Sequence, residues 1–224
     1  MTTSVHADSP YTLDLRVDLP VIALSGSIAL AGFFDSGLPA CAPNCSPARL
    51  NVIDRSAIHF RSNTSGAIAD VALPLVLLAP VVLDYFDSGV AADWLKDALV
   101  MVESLAVDQT FTQLTKFAVR RNSPALYSGD SHLTALHDTD AARSFISAHT
   151  SSACAVTTAF AVTYWLRHPD DPLRYLVLGA GIGLSLAVGI LKVLAGAHFW
   201  SDVGAGALVG GSVGVLVPMA HIKF

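Results

Sequence analysis

The sequence is short of charge. Aspartate, glutamate, lysine and arginine make up 14% of its 224 residues, against about a quarter in an ordinary soluble domain. That shortage excludes a normal water-facing surface around a core of this size. Cysteine is scarce as well: three residues are too few for a disulfide framework. Cys41 and Cys45 lie close together in a polar connection and fit either a short disulfide or free thiols. Cys154 sits in an apolar segment as a small packing residue. With a net charge of −5 and no basic tract or aromatic–basic alternation, the chain carries no footprint for nucleic acid. The first residues, MTTSVHADSPYTLDLRVDLP, have no cationic head and no apolar core before Pro20, unlike a cleaved signal peptide. No repeat, low-complexity tract or second-domain boundary appears. Residues 1–224 therefore read as one domain with a polar segment at 1–18.

Hydrophobicity is what the chain has in quantity: 53% apolar residues and a mean hydropathy of +0.55. This predicts an all-α fold, a polytopic membrane helix bundle of about six transmembrane helices. The expected spans run from Leu19 to Phe34 (short for a span), Ile68 to Tyr85 with kinks at Pro74 and Pro80, and Leu95 to Val119. They continue from Ser147 to Leu166, Leu173 to Ala195, and His198 to Pro218. Polar, turn-rich connections separate them.

Alternating spans bring the ends of the third and fifth helices to the same membrane face as the starts of the fourth and sixth. Lys116, Ser147, His149, Lys192, His198 and Asp202 therefore gather at one face. Loop charge orients this face poorly. Arg49, Arg55, Arg61, Arg120, Arg121 and Arg143 lie on it, and Arg16, Lys96, Arg167, Arg174 and Lys223 on the other. The count alone leans towards a cytoplasmic site.

Three blocks carry chemistry. Lys116 and Arg121, in KFAVRRNSP, end a span with donors suited to an anionic head group. Taken alone, they are better explained as cations reaching for water at an interface. Ser147-Ala148-His149 opens a helix, where unpaired N–H groups favour an anion and an imidazole of near-neutral pKa can act as general acid. Taken alone, a capping serine beside an interfacial histidine is the better account of that block. In LKVLAGAHFWSD, Lys192 is an ionisable residue near a helix end. His198 and Asp202 stand at i, i+4 on one helix face, a nucleophile with an orienting carboxylate or a structural pair. Together the blocks supply the parts of a phosphoryl-transfer site: cations, N–H donors, an acid and a nucleophile.

Elsewhere, Glu103 and Asp108 in the third span suit interhelical hydrogen bonds or a polar cavity. Gly206, Gly210 and Gly214 permit close helix packing, within the chain or across a homodimer. His132, His137, Asp138 and Asp140 look metal-like in composition but read as a solvated loop.

In order and spacing the three blocks resemble the type 2 phosphatidic acid phosphatase family, membrane relatives of the vanadium haloperoxidases. That family's signature is K-x6-R-P, P-S-G-H and S-R-x5-H-x3-D. The resemblance covers residues 95–218, the motif-bearing core. It implies that His198 attacks phosphorus to form a phosphohistidine, Asp202 orients it and His149 protonates the leaving alcohol. Lys116, Ser147, the Ala148 N–H and Lys192 hold the phosphate. It implies no metal and no cofactor. The implied partners are the bilayer and a lipid phosphate or isoprenyl (pyro)phosphate. The implied location is a bacterial inner membrane with the site on the periplasmic face.

Five positions depart from the signature: Ser123 and Lys192 replace arginines, Ala148 a glycine, Ile146 a proline and Leu191 a serine. Lysine keeps charge but loses bidentate geometry, and Arg120 or Arg121 is placed to restore the missing charge. The expectation is a phosphatase of weak or altered activity. Its rivals are a lipid binder without turnover, a structural or transport protein, and a halide-oxidising relative, the last disfavoured because those are usually soluble.

Overall fold

The structure, a computed structural model, describes residues 8–31, 45–89, 91–127 and 139–223. It is all-α, and six long helices dominate: α1 (Leu15–Ala31), α3 (Asn63–Ser88), α4 (Ala91–Val119), α5 (Ala148–Arg167), α6 (Leu173–Leu194) and α7 (Trp200–Ala220). The short α2 (Val52–Arg55) precedes α3. Among the described residues the only β pairing is an isolated antiparallel bridge between Tyr11 and Ile222.

Helix α5 is the hub, packed against α7, α6, α4 and α3. Its sequence suits that place: Ser151, Ser152, Ala153, Cys154, Ala155, Thr157, Thr158 and Ala159 are all buried and all small. Small side chains let backbones approach where no hydrophobic effect drives helices together. The hydroxyls are satisfied locally or across helices. Thr157 Oγ1 lies 2.8 Å from the Ala153 carbonyl oxygen and 3.1 Å from Ser185 Oγ. Asp108 accepts from Ser151, tying α4 to α5.

Helix α7 meets α5 through its glycines. A Cβ at Gly206 would lie 2.7 Å from the Ser147 carbonyl oxygen, and one at Gly210 or Gly214 would strike the backbone of Ser151 or Ala155. The glycine stripe thus packs within the chain.

The opposite surfaces are apolar and exposed: Val71, Leu75, Leu78, Val82 and Phe86 on α3, Leu176 and Leu184 on α6, Leu208 and Leu216 on α7. Among the described residues, three helices, α3, α6 and α7, are long and apolar enough to cross a membrane. Helices α4 and α5 are more polar because their polar side chains point inward, and α1 has 17 residues.

Several boundaries differ from expectation, among them the start of α4 at Ala91 rather than Leu95. Helix α1 begins at Leu15, inside the segment expected to be polar coil, because the Asp14 carbonyl accepts from Val17 and Asp18 N–H and its carboxylate from Arg16 N–H. Residues 32–34 of the first expected span lie outside the described residues, as do Cys41, His132, His137 and Asp138. Helix α3 starts at Asn63 because Ser62 caps it, accepting from Ser65 N–H.

The helix ends far from the expected site are tied together. Arg167 on α5 pairs with Asp84 (3.0 Å) and Asp87 (2.6 Å) at the end of α3 and with Asp97 on α4.

Candidate active site

The end of α4, the start of α5, the end of α6 and the start of α7 meet at one end of the bundle. Two groups of side chains form there.

The first is built around the start of α7. His198 is buried, and its Nδ1 lies 2.8 Å from the Ser144 carbonyl oxygen. A carbonyl only accepts, so Nδ1 carries the proton and Nε2 keeps its lone pair. The nearest Asp202 carboxylate oxygen is 3.8 Å from Nδ1: charge stabilisation without a direct hydrogen bond. From the third position of α7, Asp202 instead reaches back to the helix start, accepting from the N–H of the capping residue Phe199 at 2.8 Å, and it takes Arg121 Nη1 at 2.5 Å.

Arg121 is fully committed. Besides Asp202 it donates to Ser201 Oγ at 2.7 Å and to Asp54 Oδ2 at 2.7 Å, with its guanidinium carbon 4.1 Å from the Phe199 ring centre. Asp54, from α2, is wholly buried and also accepts from Ser201 N–H, Ser201 Oγ and Asn51 Nδ2. Burial alone would push this carboxyl up. The hydrogen bonds from Ser201 and Arg121 outweigh it and hold the carboxyl below the usual carboxylate range. Asp54, Arg121 and Asp202 thus form an acid–base–acid brace that fixes the loop after α4 to the start of α7.

The second group joins α3, α5 and α6. His149 Nε2 lies 2.9 Å from Asp70 Oδ1, and Lys192 Nζ lies 2.5 Å from the same oxygen. Two donors from separate helices converge on one anionic oxygen. The Asp70 side chain is 60% exposed and that of Lys192 12%. Helix geometry leaves the Ala148 and His149 N–H groups without intrahelical partners at the start of α5.

Three expected phosphate ligands are engaged elsewhere. Lys116 is buried and donates to the Arg143 carbonyl at 2.6 Å, next to the carbonyl that holds His198. Ser147 is buried as the α5 cap, with its Oγ accepting from Thr150 and its N–H taken by the Asp202 carbonyl at 3.1 Å. Arg121 is in the brace. Ser123, in place of the family's arginine, is buried with its N–H on the Ala141 carbonyl at 2.7 Å. Cys45, near this end, is disulfide-bonded, whereas Cys154 is free.

Asp70, Asp54, Ser201 and the Ser144 carbonyl were not singled out from the sequence. An aspartate near the start of an apolar span was the available signal for Asp70. A backbone carbonyl leaves none.

The comparisons agree with this architecture. The chain is similar in structure to a protein described as the first transmembrane PAP2 type phosphatidylglycerolphosphate phosphatase from Bacillus subtilis. The two are 19% identical, with a TM-score of 0.56 over 91% of this chain and 94% of that one, which is a likeness of fold. No curated protein sequence matches significantly. The model of the PAP2 superfamily matches residues 97–223, from the second turn of α4 onwards and through all three sequence blocks, so this chain belongs to the PAP2 superfamily.

Proposed function

We propose that the chain is a membrane phosphatase that hydrolyses a lipid phosphate or isoprenyl (pyro)phosphate through a phosphohistidine on His198. The observation that carries this reading is the convergence of His149 and Lys192 on a single anionic oxygen, at the same end of the bundle as a histidine whose Nδ1 is already anchored.

In the reaction, the lone pair on His198 Nε2 attacks phosphorus and the bond to the leaving oxygen breaks. The Ser144 carbonyl holds the Nδ1 proton, and Asp202 stabilises the imidazolium charge from 3.8 Å. His149 gives its proton to the leaving oxygen. Water, deprotonated by His149, then attacks the phosphohistidine and releases inorganic phosphate and His198. Lys192 and the free N–H groups of α5 neutralise the phosphoryl oxygens, and the cycle calls on no metal. The Asp70 carboxylate occupies the place of a phosphoryl oxygen, and its exposed position lets substrate displace it.

A lipid substrate is supported by an apolar cavity of about 210 Å³ between α3, α5 and α6, lined by Val76, Leu83, Phe160 and Leu184 among others. It begins on α3 about 9 Å along the axis from Asp70, six residues at 1.5 Å each. The cavity is formed by the same three helices that carry Asp70, His149 and Lys192, further along the bundle, and offers an apolar slot for a hydrocarbon tail. The site face is assigned to the outer side of a bacterial inner membrane, following the family resemblance.

The commitment of Arg121 to the brace and of Asp70 to Lys192 favours a second reading, a lipid-phosphate binder without turnover. Phosphate release by purified protein from phosphatidic acid, phosphatidylglycerolphosphate and undecaprenyl pyrophosphate decides between them. Turnover lost in His198→Ala supports the phosphatase. Folded protein that binds these lipids and releases no phosphate supports the binder.

A further inference from the structure

We infer that the far end of the bundle holds a divalent-metal site formed by Asp18 of α1, Glu103 of α4 and His221, the residue that ends α7. It is separate from the catalytic face and independent of the proposed reaction.

One ligand atom from each residue lies within 4.8 Å of the other two. His221 Nε2 stands 3.4 Å from Asp18 Oδ1 and 3.3 Å from Glu103 Oε2. Both separations are long for a charge-assisted hydrogen bond, which closes to about 2.7–2.9 Å. They match the edge of a tetrahedron around a metal with bonds of about 2.0–2.2 Å, which is about 3.3–3.5 Å.

Three further observations point the same way. Asp18 Oδ2 and Glu103 Oε2 are buried without a hydrogen-bond partner, and both residues are 7% exposed. An unpartnered carboxylate oxygen in such a place is costly unless a cation meets it. His221 Nδ1 lies 2.8 Å from the Val217 carbonyl oxygen, which puts a proton on Nδ1 and aims Nε2 at the two carboxylates, so that in its neutral form the ring offers Nε2 to a cation in the usual arrangement of a metal-bound histidine. Charge completes the case: two carboxylates with a protonated histidine leave one negative charge uncompensated, whereas two carboxylates with a neutral histidine and a divalent cation sum to zero.

The surroundings are rigid enough to preorganise the site. The Tyr11–Ile222 bridge joins the two ends of the chain. Thr12 N–H donates to the His221 carbonyl at 2.8 Å and Lys223 N–H to that of Pro10 at 3.0 Å. A metal here clasps α1 and α7 onto α4. One nitrogen and two carboxylate oxygens suit Zn²⁺ or Mn²⁺, with water in the open position.

The test uses full-length protein purified in detergent without a polyhistidine tag, stripped with chelator, dialysed against Zn²⁺ or Mn²⁺ and measured by elemental mass spectrometry. The expected content is about one metal per chain, as for a single three-ligand site. His221→Ala and the isosteric Glu103→Gln reduce it about tenfold or more, while His198→Ala, at the catalytic face, keeps it. Added metal raises the Tm of the stripped wild type and not that of Glu103→Gln. Wild-type protein that retains no more metal than His221→Ala, or Glu103→Gln that binds and responds as wild type does, overturns the proposal.

Discussion

His198 is anchored by Ser144: Nδ1 of the imidazole lies 2.8 Å from the Ser144 carbonyl oxygen, and Asp202 stands a further ångström away at 3.8 Å. The tautomer that exposes Nε2 therefore depends on a backbone group that no side-chain substitution removes. Asp202→Asn should lower the rate of phosphate release by about 10- to 100-fold, the loss of one electrostatic contribution of about 1.4–2.7 kcal/mol. His198→Ala should abolish release. Steady-state rates on one lipid phosphate compare the two, and equal losses would contradict the division of labour.

Arg121 is predicted to matter for stability rather than for phosphate. Removing its guanidinium leaves the buried Asp54 and Asp202 carboxylates facing each other without a cation. Arg121→Ala should destabilise the protein by about 3–5 kcal/mol, the range for one half of a buried pair. Thermal unfolding in detergent measures this. A folded, fully stable Arg121→Ala with a raised KM would return Arg121 to the phosphate site.

Asp70 competes with substrate for His149 and Lys192. Asp70→Asn keeps the shape and removes the charge, so inorganic phosphate or vanadate should inhibit about fivefold more tightly, corresponding to the roughly 1 kcal/mol of an exposed ion pair. Inhibition constants for wild type and variant check this. Weaker inhibition in the variant would make Asp70 a positioning residue for His149 instead.

Acid should loosen the brace late, only below the ordinary carboxylate range. The folded-state pKa of Asp54 is held down by hydrogen bonds from Ser201 and Arg121 that outweigh its burial. Its contribution is complete above the unfolded carboxylate value of about 3.9 and is lost as pH falls through the lower folded value. Tm should drop more steeply below about pH 4 in wild type than in Asp54→Asn, which is less stable at neutral pH and flatter towards acid.

Much of this site was legible in the sequence. Lys192, His149, His198 and Asp202 announce themselves because charged residues inside apolar spans are costly and their spacing fits helix faces. What stayed hidden depends on contacts that a linear reading does not pair. Asp70 meets His149 across 79 positions and Lys192 across 122. Asp54 reaches Arg121 across 67, from a short helix in a connection that reads only as polar. The direction of the glycine stripe was equally hidden. Gly206, Gly210 and Gly214 fit a dimer seam as well as an internal one until α5 is seen against them.

That stripe yields a stability prediction. Gly210→Ala drives a methyl into the Ser151 backbone and should prevent stable folding, whereas Gly211→Ala, with nothing within 4 Å, should be tolerated or gain about 1 kcal/mol from helix propensity. Expression yield and Tm separate them.

The most direct measurement is to trap the covalent intermediate. Purified protein mixed with a ³²P-labelled lipid phosphate and quenched in alkali should carry an acid-labile, alkali-stable label that peptide mass spectrometry places on His198. A label on any other residue, or steady phosphate release with His198 unlabelled and replaceable by alanine, would contradict the mechanism.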